Sequence, residues 1–170
     1  MNTGIGEPTI RDLLALQQAL MAQRRAPVVD LHQALLQMNL MDEPSILALE
    51  REDPQLLHSR SRRLVERLLV SDQDWHRAMA RVAGLVEIDA LNFEIDKHAL
   101  DIMSLALARQ YAVLPLGMID ELFFVASAKP TSEDLHHQLQ LAMGGRSMPM
   151  VWASDDAITR RLDLLGAVPF

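Results

Sequence analysis

Residues 123–135 read FFVASAKPTSEDL. An apolar run ends in small residues, Lys129-Pro130-Thr131 follows, and Ser132 stands before two acidic residues at a helix start. A strand, a turn with Lys and Thr, and a helix N-terminus is also the order found in phosphate-binding loops. Such a loop needs glycines, so that consecutive backbone N–H groups can close around the phosphate. No glycine lies between Phe123 and Thr131, and Pro130 removes a donor where the loop would need one. The stretch therefore predicts a strand handed over to a helix capped by Thr131 or Ser132, within a small sheet, and not a nucleotide-binding core.

The pattern on either side agrees. Ala99–Gln110 is a predicted helix with Leu100, Met103, Ala106 and Leu107 inward. Ala112–Met118 and Glu121–Ser127 are predicted strands, joined at Ile119-Asp120 by a link short enough for a hairpin. Ser132–Met143 is a helix closed by Gly144-Gly145, Ser147–Ala153 a third strand, and Ser154 the cap of a last helix. In that helix Ile158, Leu162 and Leu165 face inward, and Gly166 ends it. The order α-β-β-α-β-α predicts an α+β fold with helices packed on a three-stranded sheet.

Upstream of a Gly84–Ile95 connector the chain reads as helices. One starts at Pro8 or Thr9, with Ile10, Leu13, Leu14, Leu16 and Leu20 at helical spacing, and ends at Arg24-Arg25-Ala26-Pro27. Asp30–Met38 follows, with Leu31, Ala34, Leu35 and Met38 on one face; Asp42 then caps a third helix that Asp53-Pro54 stops. Leu35 to Asp42 is echoed by Leu64 to Ser71 at an offset of 29 residues, and Ile46 and Trp75 repeat the same spacing. Ser71 with Asp74 resembles a capping box. One helix–turn–helix unit used twice is expected. The domain reading is residues 1–90 as a helical lobe carrying the repeat and residues 91–170 as a small α/β lobe.

Composition narrows the function classes. Nearly half of the 170 residues are apolar, which supplies a core, and aromatic residues are few. A formal charge of −7 argues against a nucleic-acid polymer as partner. With no cysteine there is no disulfide, thiolate metal site or thiol nucleophile, which suits a reducing cytoplasm. No apolar stretch is long enough to insert in a membrane, and the first residues lack a secretory pattern. The six histidines include no zinc-hydrolase spacing, and no Gly-x-Ser-x-Gly elbow occurs. No catalytic, metal or cofactor site is expected. The basic run Arg60, Arg62, Arg63 and Arg67 reads either as a solvated helix face or as a site for an anion or acidic partner.

The stretch Leu107 to Leu116, then Phe124-Val125-Ala126, Pro130-Thr131 and Gly144 to Ser154, resembles the N-terminal, MshEN-like domain of type II secretion and type IV pilus assembly ATPases. The resemblance runs from about Leu31 to Gly166. It implies a non-catalytic domain that docks a protein partner of a membrane-associated assembly, cytoplasmic and peripheral to the inner membrane. One branch of that family binds cyclic di-GMP through a duplicated RLGxxLVxxGxIxxxxL motif, and the module also occurs on membrane glycosyltransferases. The repeat lies where that motif would. Leu31, Leu35, Leu36, Met41 and Ile46 match its apolar positions in the first copy, and Leu64, Val65, Val70 and Trp75 in the second. Asp30 replaces the first arginine, His32 and Asn39 the glycines; Ser59, Ser61 and Leu68 do so in the second copy. Candidate ligand or partner contacts are Leu31, Leu35, Leu36, Met41, Arg60, Arg63, Leu64, Val65, Val70 and Lys129. Partner docking is the expected function, with cyclic di-GMP as the alternative ligand. The family has an acidic residue where this chain has Lys129, whose ammonium can meet a phosphate.

Overall fold

The computed structural model describes residues 8–57 and 62–167. In chain order it contains α1 (Leu13–Gln23), α2 (Leu31–Gln37), α3 (Glu43–Glu52), α4 (Arg63–Glu66), α5 (Asp72–Val82), α6 (Ala99–Ile102), α7 (Leu105–Tyr111), β1 (Val113–Ile119), β2 (Leu122–Ser127), α8 (Glu133–Ala142), β3 (Met150–Trp152) and α9 (Asp155–Ala167). The fold is α+β, with a mixed sheet in the order β1-β2-β3. β1 and β2 are antiparallel, and β2 and β3 are parallel across the α8 crossover.

Two apolar clusters hold these elements. The first gathers α2 to α5 around Leu31, Ala34, Leu35, Ile46, Leu56, Leu64, Val70 and Ala78. The second lies under the sheet and includes Ile88, Phe93, Met103, Leu114, Phe123, Val125, Leu139, Val151 and Ile158. Leu16 of α1 is buried in this second cluster, and α1 packs on β1. The first helix of the chain therefore rests on the sheet.

The connector between the clusters lies along both outer strands. Ile88 donates its N–H to the Trp152 carbonyl at 3.0 Å, and Trp152 returns one to Val86 at 2.9 Å. Glu87 is thereby bridged in parallel beside β3. Further on, the Asp96 N–H reaches the Leu116 carbonyl of β1 at 2.9 Å. This close approach needs Gly117, whose φ is +144° and where a Cβ would lie 2.8 Å from both the Asp96 Cβ and a Leu13 methyl. β1 carries a bulge there, between Pro115 and Gly117.

Several expected boundaries move. Asp12, not Thr9 or Pro8, caps α1 by accepting the Ala15 N–H, because Ile10 and Arg11 are tied to the connector. Their carbonyls accept the N–H groups of Asp89 and Glu94. The single helix expected over Ala99–Gln110 is two: Met103 is extended, and Ser104 caps α7. As a result Ala108 is buried and Ala106 exposed. The hairpin turn is Asp120-Glu121, both with left-handed φ, so β2 starts at Leu122. β3 is confined to Met150–Trp152, and Gly166 lies inside α9.

Candidate functional site

The repeat is present in the backbone, bond for bond. The Met38 N–H reaches the Ala34 carbonyl as the Arg67 N–H reaches Arg63, and Leu40 closes on Leu35 as Leu69 closes on Leu64. In each unit the residue between these bonds turns left-handed: Asn39 has φ 53° and Leu68 φ 57°. The next helix is then capped in the same way. Asp42 accepts from the Ser45 N–H at 2.8 Å, and Ser71 accepts from the Asp74 N–H at 3.1 Å. Both left-handed residues stand at the glycine position of the duplicated motif, where a backbone without Cβ turns most easily. The turn is made in both units although neither residue is the glycine best suited to it.

The apolar candidates converge. Leu31, Leu35, Leu64 and Val70 are buried in the first cluster, and Leu36, Met41 and Val65 pack half-buried against it. These side chains point into the lobe. Leu68 does the reverse: it is 90% exposed. Lys129 is exposed on the loop after β2, apart from this cluster, with its N–H on the buried Ser127 Oγ at 2.9 Å. Its ammonium adds to the field that, after burial itself, holds the His76 imidazole below its ordinary pKa. Arg60 lies outside the described residues.

The described arginines of the basic run are engaged within the fold. Arg63 places Nη1 2.8 and 2.7 Å from the two Asp53 oxygens, and this hydrogen bonding, more than the charge itself, holds the Asp53 carboxyl below the usual range. Arg67 lies 3.6 Å from Glu52. Arg62 pairs with Asp72 and lies 5.0 Å over the Trp75 ring. Each of the three positive charges is thus matched by a carboxylate of the fold, Arg63 through Nη1 and Arg62 through Nη2. At the arginine position of the first copy, Asp30 forms a capping box with Gln33. At the adjacent glycine position, His32 puts Nε2 2.9 Å from Glu43, and that hydrogen bond raises its pKa despite partial burial.

A second group escapes sequence reasoning because it joins α5, the connector and β3. Arg77 of α5 holds Glu87 through two hydrogen bonds of 3.1 and 2.9 Å, and Arg81 adds a third at 3.2 Å. The Arg77 guanidinium also lies 5.0 Å over the Trp152 ring of β3. This clasp fastens the repeat to the sheet.

The MshEN domain model matches residues 83–168, from the end of α5 through the connector and the sheet to the end of the described chain. The chain belongs to the MshEN domain family. A solved structure of MshE with cdg aligns with 80% of this chain and 98% of its own at a TM-score of 0.54 and 16% identity, a likeness of fold. No curated protein matches. In this MshEN domain the matched residues lie downstream of both repeat units, so the substituted motif positions fall outside the match. No helix of the described residues is long and apolar enough to cross a membrane.

Proposed function

We propose that this MshEN domain is a non-catalytic regulatory module whose repeat lobe docks a protein partner of a secretion, pilus or envelope-polysaccharide machine on the cytoplasmic side of the inner membrane. The observation that carries this reading is the internal pairing of Arg62, Arg63 and Arg67, together with Asp30 acting as a helix cap where the nucleotide motif has arginine. A cyclic dinucleotide carries two phosphates and is held best by cationic forks that face no carboxylate of their own, whereas here each of the three has one beside it. Leu68 supplies an apolar group at the tip of the second unit, held out in a backbone conformation that costs free energy. Strain kept at an exposed apolar residue fits a contact made with another protein.

A second reading, a cyclic di-GMP sensor joined to a membrane glycosyltransferase in the family's manner, is favoured by the solved MshE with cdg and by the left-handed turns at Asn39 and Leu68. Calorimetric titration with cyclic di-GMP separates the two. Flat heats, with a membrane-fraction protein retained on the immobilised domain and lost in Leu68→Asp, support docking. Micromolar binding that Arg63→Ala weakens would replace docking by sensing.

A further inference from the structure

A groove of about 540 Å³ lies between the C-terminal end of α1, the C-terminal end of α5 and the start of β2. Its walls come from both apolar clusters. Leu20, Phe124 and Met150 belong to the cluster under the sheet, and Val29 and Val82 to that of the repeat. Val28 and Leu122 also line it and are 90% and 47% exposed, so apolar side chains stand in water where the two clusters meet. Exposed apolar surface gathered in one concave place marks a site of contact.

The charge beside this groove has one sign. No carboxylate lines it; Glu121, which precedes Leu122, is not part of its wall. Of the two lining arginines, Arg81 is already engaged with Glu87 and Gln37. Arg24 is not. It is exposed, and neither it nor the adjoining Arg25 has an ion pair or a side-chain hydrogen bond among the described residues. Arg11, Arg62, Arg63, Arg67 and Arg77, by contrast, each lie against a carboxylate of the fold. In a chain of formal charge −7, two neighbouring arginines are thus left with all their donors free next to apolar walls.

We propose that this groove docks a segment of a partner protein in which apolar side chains stand beside carboxylates. The apolar ones fit against Phe124, Met150 and Val82, and a carboxylate meets Arg24. Burial of the anchors supplies the affinity, and the free arginines select against a basic segment. Leu68 precedes α5 and the groove follows it, so this surface is separate from the tip of the second repeat unit. The inference does not depend on docking through that tip.

A random dodecapeptide library displayed on phage is selected on the immobilised full chain, and enriched peptides are synthesised and titrated by NMR. The expected peptides combine at least two apolar residues with Asp or Glu. They should shift the Val28 and Leu122 amide signals saturably, leave Leu68 in place and bind more weakly as sodium chloride is added. Arg24→Glu, an exposed substitution, should weaken binding about tenfold by exchanging attraction for repulsion. Val28→Ser should weaken it about threefold through one lost apolar contact, and Leu68→Asp should leave it unchanged. Spectra of the variants show that the fold is intact. The proposal is overturned if no peptide is enriched over the bare support, if those enriched lack acidic residues, if Leu68 moves in place of Val28 and Leu122, or if Arg24→Glu binds as the parent does. Sedimentation of the chain alone decides the remaining occupant: a dimer that Val28→Ser dissociates would give the groove to a second copy and end the partner proposal.

Discussion

Asn39 and Leu68 adopt the same left-handed backbone, φ 53° and 57°, at equivalent points of two units 29 residues apart. A residue with a Cβ pays for that conformation, and asparagine pays less than leucine because its short polar side chain tolerates it.

Leu68→Gly is therefore expected to stabilise the fold by about 1 kcal/mol, since the side chain is exposed and little packing is lost. Asn39→Gly should gain less. Urea midpoints at constant slope measure both; a lower midpoint for Leu68→Gly would show that the side chain supports the fold.

Leu35 and Leu64, each 1% exposed, occupy matching places in the repeat core. Truncating either to Ala should cost about 2–5 kcal/mol, the usual range for a buried leucine. Chemical denaturation reads the loss, and a change below about 1 kcal/mol at Leu64 would mean that the short α4 contributes little to the core.

His32 gives a pH dependence with a definite sign. Its folded pKa is raised, first by the hydrogen bond to Glu43. The stabilisation is thus complete below the unfolded value of about 6.5 and is lost as pH rises through the folded value. NMR titration of the His32 ring should give a midpoint above that of a free imidazole. Glu43→Gln should bring it down, and an unchanged midpoint would refute the assignment.

Gly117→Ala should destabilise by about 1–3 kcal/mol, since the new methyl group meets Asp96 and Leu13 in a backbone conformation unsuited to it. Thermal unfolding tests this, and hydrogen exchange should show the Asp96 amide losing protection first. A variant as stable as the parent would mean that α1 and the connector shift without cost.

What was legible in the sequence was local. Asp42, Ser71, Ser132 and Ser154 cap the helices expected of them, because each stands directly before an apolar helical pattern. The start of α1 was not legible, since Thr9 and Asp12 both suit a cap and the choice is made by the connector, whose N–H groups bind the carbonyls of Ile10 and Arg11. Nor was the break at Met103-Ser104, where the helical pattern continues while the chain bends toward β1. In the candidate site the apolar spacing of the repeat was readable. The pairing of Arg63 with Asp53 and the clasp of Arg77 on Glu87 and Trp152 were not, because they depend on how helices turn back on one another.

The connector along β1 and β3 has a consequence for assembly. A three-stranded sheet ordinarily offers two rows of unpaired backbone groups on which any extended chain can add itself as a further strand. Here Glu87 and its neighbours take up one row, and Asp96 blocks the middle of the other. An extended chain from another molecule therefore meets neither edge open along its whole length, and side chains are left as the main means of recognition.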